Sequence, residues 1–345
     1  MSVPRENLLS VVIPAYNEQE SLHECHRRLT GVLSQLDMDY ELVFVNDGSR
    51  DRTLEILEQL QRDDSHVSVV DLSRNFGKEI ALSAGLDMAD GDAVVVIDAD
   101  LQDPPELIPT FIAEWRKGFD VVYAQRTERK GESWLKRLTA HTFYRVMQNV
   151  TRIKMPRDTG DFRLLSRRAV LAMRRFREQH RFMKGLFAWI GFSQKAVQYQ
   201  RDARFAGTTK WNYWRLWNLA IEGITSFTTV PLQFSMYIGL LTALGAFVYG
   251  SYILVRTLIF GNDVPGYPSL VVIVLFLGGV QLAAIGVLGE YLGRIFNESK
   301  QRPLYFVNTY VPAGSAQAAR ARTALGQEDA SVPPELSVAV NTHRR

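Results

Sequence analysis

The stretch Ala93-Val94-Val95-Val96-Ile97-Asp98-Ala99-Asp100-Leu101-Gln102-Asp103-Pro104-Pro105-Glu106 changes character twice. Its first five residues are an unbroken apolar run, the pattern of a strand buried on both faces of a sheet. Two aspartates one residue apart follow. Asp103-Pro104-Pro105-Glu106 then makes a rigid turn into a helix, with proline near the first helical position. Buried strand, acidic end and helix start are the parts of an α/β domain.

The same order recurs along the first 200 or so residues. Residues 8–13, 41–45, 67–72 and 120–123 read as further buried parallel strands. Residues 22–36, 53–62, 79–88 and 106–117 read as the helices between them, which implies right-handed crossovers and a sheet covered on both faces. In such sheets ligands bind beyond the carboxyl ends of the strands. The polar strings stand there: Pro14-Ala15-Tyr16-Asn17-Glu18 after the first strand, Asn46-Asp47-Gly48-Ser49 after the second, Asp98-Ala99-Asp100 after the fourth.

Several function classes lose support at this level. A net charge of +3 is too small to argue for nucleic acid. Cys25 is the one cysteine, so no intrachain disulfide forms. No Gly-x-Gly-x-x-Gly follows the first strand and no Walker A string occurs, so dinucleotide and P-loop readings have no motif. The six histidines show no ligand spacing. Residues 2–7 are polar and lack the apolar core of a signal peptide, so the first domain is expected in the cytosol.

Further on, two segments are long enough to span a bilayer, which needs about 20 apolar residues. They run over about 232–260 and 269–291, joined by the turn-rich 261–268. Arg201, Arg204, Lys210 and Arg215 precede the pair, and Arg294, Lys300 and Arg302 follow its apolar part. This asymmetry places both flanks in the cytoplasm and makes the pair a hairpin. Trp211, Trp214, Trp217, Ile221, Ile224 and Thr228 fall on one helical stripe, suited to an in-plane interfacial helix or to a face against the soluble domain. The expected organisation is a cytosolic α/β domain over 1–207, an amphipathic helix over 208–230, a hairpin over 231–295, a cytosolic segment over 296–311 and a tail over 312–345. That tail has a composition typical of disorder.

Asp98 and Asp100 point to one side of a strand end and can share a hard cation, with Gln102 completing its shell. Capping of a turn is the other reading of the same pair. Asp47 can likewise accept hydrogen bonds from a base or ribose, or serve turn geometry.

Ile13-Pro14-Ala15-Tyr16-Asn17-Glu18, Asn46-Asp47-Gly48-Ser49 and Asp98–Pro105 together resemble the family 2 glycosyltransferases of GT-A fold. Ser73-Arg74-Asn75-Phe76-Gly77-Lys78-Glu79, Thr159-Gly160-Asp161-Phe162-Arg163 and residues 181–189 narrow the resemblance to polyprenyl-phosphate glycosyltransferases, the bactoprenol glucosyltransferase group, related to dolichol-phosphate mannose synthases. It extends from about residue 8 to 305 and includes Gly289-Glu290-Tyr291-Leu292-Gly293-Arg294. Many family members carry Asp-Asp-Gly-Ser where this chain has Asn46-Asp47, which leaves Asp47 the sole acid there.

The resemblance implies that Pro14, Tyr16, Glu18, Asp47 and Asp98 bind the nucleotide sugar. It implies that Asp98, Asp100 and Gln102 hold Mg²⁺ or Mn²⁺ and the diphosphate. Asp161, with Asp100 and Arg126, falls at the reacting centre. Arg129, Arg201, Arg204 and Lys210 match cations that meet phosphate. The implied reaction is inverting transfer from a UDP-sugar, UDP-glucose first, to a polyprenyl phosphate at a bacterial-type plasma membrane. A homo-oligomer is compatible with it. Alternatives within the class are other UDP-sugars (a 4-amino-4-deoxyarabinose derivative, an N-acetylhexosamine) or GDP-mannose. A processive polysaccharide synthase would need a Gln-x-x-Arg-Trp motif, where this chain has Gln179-His180-Arg181-Phe182, and more spans. A catalytically inactive membrane scaffold is the rival from another class, and intact acids at the strand ends speak against it.

Overall fold

The computed structural model describes residues 7–126, 159–179, 181–199, 229–260 and 266–314. They fall into two compact units. The first opens with β1 (Leu8–Ala15), α1 (Leu22–Leu33), β2 (Asp39–Asn46), α2 (Thr53–Asp63), β3 (Val67–Leu72), α3 (Lys78–Met88) and β4 (Ala93–Val96). A single 3₁₀ turn, Pro105–Leu107, leads into α4 (Ile108–Arg116), and β5 (Val121–Arg126) follows. After it come β6 (Thr159–Ser166), α5 (Arg167–Met173), α6 (Met183–Trp189), β7 (Gln194–Tyr199) and β8 (Val307–Val311). All eight strands join one sheet in the order β7-β5-β6-β4-β1-β2-β3-β8.

The central strands are what their apolar runs require. β1, β3 and β4 are buried along their whole lengths. β1 pairs in parallel with β2 and β4, and β2 with β3. Away from that centre the all-parallel expectation needs correction. β5 runs with β1–β4 but is separated from β4 by β6, which is antiparallel to both. β7 is parallel to β5, and β8 is antiparallel to β3 at the far edge. The sheet is therefore mixed. β6 escaped a reading by apolar runs because Gly160, Asp161 and Arg163 interrupt its pattern, although every one of its residues is buried. Helix α1 also stops at Leu33 rather than residue 36. There the Gln35 and Leu36 amides donate to carbonyls three residues back, closing the helix in a tighter turn.

Helix α3 lies unusually near the sheet. Its buried face is Ala81, Leu82, Ser83, Ala84, Gly85 and Leu86. A Cβ on Gly85 would strike Val12 Cγ1 and Val45 Cγ2, on β1 and β2. That small face brings the first residue of α3, Lys78, down to the rim of the sheet.

The second unit contains α7 (Val230–Phe260) and α8 (Tyr267–Ser299). Both are long and apolar enough to cross a membrane by length and composition, over Val230–Phe260 and Phe276–Ser299. Helix α7 is apolar all round, the pattern of a helix wrapped in protein core or in lipid. Its Phe247 and Leu258 are 73% and 77% exposed, which disfavours protein core. Helix α8 runs past its apolar part into a polar end where Arg294 pairs with Glu290 at 3.0 Å. The interfacial helix expected over 208–230 lies almost wholly outside the described residues, as do residues 261–265 of the connector and the tail from 315.

Candidate active site

Register brings the acids together. β4 and β6 are antiparallel with Val96 opposite Arg163. Two residues further along, Asp98 comes beside Asp161. One carboxylate is thus supplied by the end of a forward strand and the other by the start of a reversed one. Lys78 sits between them. Its Nζ donates to Asp161 Oδ2 at 2.6 Å and to Asp98 Oδ2 at 2.8 Å, and lies 2.7 Å from Asp98 Oδ1. Burial alone would pull the Lys78 ammonium down; the two carboxylates outweigh it and hold it well above the lysine range. Burial pushes the Asp98 carboxyl up, Asp161 and Asp100 add to this, and Lys78 opposes. For Asp161 the balance falls the other way. Burial is offset by Lys78, Lys184 and Arg163, and its carboxyl is held well below the usual range.

Asp47 places Lys78. Its carboxylate accepts the Phe76 amide at 2.7 Å, the Gly77 amide at 3.0 Å and Asn75 Nδ2 at 3.0 Å. These bonds fix the loop that ends at Gly77 (φ 97°), one residue before Lys78. Gly48 (φ 62°) allows the approach, since a side chain there would collide with the backbone of Arg74 and Asn75. The departure Asn46 also has a reason. Its Nδ2 donates to Asp71 Oδ1 at 2.7 Å, while Asp71 Oδ2 accepts from Asn308 of β8 at 2.9 Å. An aspartate at position 46 would set two carboxylates against each other.

The loops after β1 and β2 are knitted together. The Asn17 amide donates to Ser49 Oγ at 3.0 Å, the Arg50 amide to Asn17 Oδ1 at 2.8 Å, and the Glu18 amide to Thr53 Oγ1 at 2.9 Å. Tyr16 projects from this platform, 40% exposed, whereas Pro14 is buried in β1. At the end of β4, the Gln102 amide donates to Asp100 Oδ1 at 3.3 Å. Between them buried Leu101 is left-handed (φ 58°), a strained conformation for a branched side chain and one that tends to persist at functional sites. On the other side, Tyr199 of β7 donates to Asp103 Oδ1, and Arg126 Nε reaches Tyr199 Oη at 3.4 Å.

Beneath Asp161 lies Arg163. Its guanidinium stacks on Phe187 at 3.9 Å and donates to the Gly160 carbonyl at 2.8 Å and, through Nε, to the Asp161 carbonyl at 3.3 Å. Burial pushes it down to about 10, so it stays charged at neutral pH. Sequence reasoning assigned no role to Lys78 or Arg163. Both stand inside the motifs that carried the resemblance, but only β6 pairing shows that they meet at Asp161.

The model of the glycosyl transferase family 2 matches residues 10–173, from within β1 to the end of α5. The chain is also 53% identical over 300 residues to an uncharacterized glycosyltransferase of Synechocystis sp., covering 87% of this chain and 94% of the relative. It is 48% identical over 299 residues to the bactoprenol glucosyl transferase of Shigella phage SfV, covering 87% and 97%. A prophage bactoprenol glucosyl transferase homolog of Escherichia coli K12 is 47% identical over 299 residues, with 87% and 98% covered. The chain belongs to the family 2 glycosyltransferases.

In this family 2 glycosyltransferase, Tyr16, Glu18, Asp47, Asp98, Asp100, Gln102, Arg126 and Asp161 all belong to the unit that carries the sheet, and Asp98 and Asp161 share one cation. Arg129, Arg201, Arg204 and Lys210 lie outside the described residues. Among the described residues no cluster of three or more His, Cys, Asp or Glu side chains is arranged to hold a metal. The set still suits a hard divalent cation. Such ions take one or two carboxylates and complete their shell with water and substrate phosphates. Among the described residues Asp161 Oδ1 is a buried acceptor without a hydrogen bond, Asp98 Oδ1 is touched only by the Lys78 ammonium, and Asp100 stands two positions after Asp98.

Glu79, next to Lys78, offers a test of this charge balance. Burial and the Asp161 charge push its carboxyl up to about 7. A folded-state value above the ordinary one means that the proton stabilises the fold. That contribution is complete below the unfolded value and is lost as pH rises towards 7. Glu79→Gln should therefore raise the unfolding temperature at pH 8, by the equivalent of about 1 kcal/mol after discounting for partial exposure. Below about pH 4.5 the two proteins should unfold alike.

Proposed function

We propose that this family 2 glycosyltransferase moves a sugar, glucose first among candidates, from a UDP-sugar to the phosphate of a polyprenyl lipid with inversion. The observation that carries the reading is the meeting of Asp98 and Asp161 on Lys78 at one end of the sheet, with Asp100 two positions after Asp98. The lipid acceptor is supported by relatives named bactoprenol glucosyl transferases and by two helices of membrane-spanning length. Incubating the purified protein with polyprenyl phosphate and a panel of radiolabelled UDP-sugars tests it. Label extractable with lipid is expected from one of them, and none from any of them would overturn it.

In this reading Tyr16, Glu18 and Pro14 line the nucleoside side of the site, and Asp47 holds the loop behind it. Asp98 and Asp100, with Gln102 nearby, would hold a divalent ion, Mg²⁺ or Mn²⁺, which when bound would supply charge neutralisation for the departing diphosphate. The acceptor is a phosphate monoester with a second pKa of about 6, so its oxygen is anionic at neutral pH and needs no general base. Repulsion between this anion and the diphosphate is the obstacle. Arg126, Arg129, Arg201, Arg204 and Lys210 are the cations assigned to reduce it. Asp161, fixed by Lys78 and Arg163, orients groups at the reacting centre.

We place the sheet-bearing unit in the cytoplasm, with residues 262–267 on the opposite side of the membrane. A cysteine introduced at Asn262 should react with an impermeant thiol reagent in intact cells, while buried Cys25 stays silent. Labelling only after permeabilisation would reverse the orientation.

A further inference from the structure

We propose that Lys78 is a built-in counter-cation that occupies part of the metal position before the donor arrives, and must release Asp98 for a divalent ion to bind. This rests on the reading of Asp98 as a metal carboxylate. The geometry behind it is specific. Asp98, two residues past the end of β4, and Asp161 of the neighbouring β6 are held on one Lys78 ammonium, and Asp100 adds a third acid within two residues. Like charges at such a separation repel strongly in a crevice of low polarity. One ammonium resolves this by touching both Asp98 and Asp161.

Its contact with Asp98 is nearly symmetric, 2.7 and 2.8 Å to the two oxygens, so the ammonium covers one edge of that carboxylate. A divalent ion approaching Asp98 from that edge meets a positive charge already at hydrogen-bond distance from the same carboxylate. The lysine has somewhere to go. Its side chain is 44% exposed, whereas those of Asp98 and Asp161 are 22% and 10% exposed. Asp161 Oδ2, at 2.6 Å, can retain the ammonium once Asp98 lets go. The backbone that aims Lys78 is fixed by Asp47 and Gly77, so release is a side-chain rotation and leaves α3 in place. Lys78 is thus a positioning residue that keeps the acids folded together when no metal is present and makes metal occupancy depend on the donor diphosphate.

The test measures Mn²⁺ binding by paramagnetic resonance of the free ion, with and without UDP, on the full-length protein. Lys78→Met should bind Mn²⁺ about tenfold more tightly than wild type without UDP, because a competing positive charge next to the ligand is gone. Lys78→Gln should show the same tightening and stands in should Lys78→Met fold poorly. Lys78→Arg, which restores a cation, should return to within about threefold of wild type. Metal-free Lys78→Met should also unfold at a lower temperature than wild type and gain more from saturating Mn²⁺. Equal or weaker Mn²⁺ affinity in both neutral variants, with wild type binding normally, overturns the competition and leaves the metal reading intact. No Mn²⁺ binding by wild type in either arm removes the metal reading, and this proposal with it.

Discussion

Asp100→Asn is expected to reduce sugar transfer by about a thousandfold or more while leaving the unfolding temperature within about 2 °C of wild type. Chelation with EDTA should produce the same loss in the unaltered protein, reversed by Mg²⁺ or Mn²⁺. The size follows from where charge develops. A diphosphate leaving group gains negative charge as its bond to the sugar breaks, and a divalent ion supplies several kcal/mol of stabilisation that no single side chain here replaces. Asp100 is the cleaner of the two carboxylates to test. Asp98 also neutralises Lys78 beside buried Asp161, so its removal disturbs the charge balance as well as any metal. Full turnover in EDTA-treated enzyme without added divalent ion would end the metal role.

The second large effect concerns Asp161. Asp161→Asn should lower kcat by about a hundredfold or more, since it removes the partner of Lys78 at the centre of the site. The shape of the pH profile matters more than the height. A general base works best with a pKa near the working pH. Asp161 is held far below that, ion-paired and anionic throughout the neutral range. The rate should therefore fall as pH drops through about 6, where the acceptor phosphate takes up its second proton, and the same limb should persist in Asp161→Asn. Glu79, pushed up to about 7, is the neighbouring carboxyl that titrates in the same region, so Glu79→Gln is the control and should also keep the limb. Loss of the limb in Asp161→Asn, with residual transfer still measurable, would make Asp161 the titrating base.

Much of this was legible before any coordinates. The apolar runs of β1 through β5 and the helices between them follow from composition and spacing, because parallel strands buried on both faces tolerate few polar residues. The acids after β4 stood out for the complementary reason, that nothing in a strand needs them. The other half of the site was harder to read. β6 carries Asp161 and Arg163 on a fully buried strand whose polar residues find partners only through a non-local antiparallel pairing. Lys78 looks like any surface lysine at a helix start until the register sets two carboxylates around it. Asp47, assigned to the nucleoside by resemblance, has in addition the loop of Asn75–Gly77 to hold, a duty visible only when strand ends and loops are seen together.

Strand β8 has a practical consequence. It follows the two long helices in sequence, yet it lies against β3 and covers a strand buried along its full length. An investigator wishing to obtain the catalytic unit in water would naturally stop the chain after β7, discarding everything that looks like anchor. That cut would also strip Val67–Leu72 of its outer partner and leave a row of unpaired amides and carbonyls flanked by valines, a surface prone to capturing another copy. It would also remove Asn308 from Asp71. The better route is to excise the two helices and splice residues 303–314 back onto the preceding segment, so that the soluble product keeps its own border.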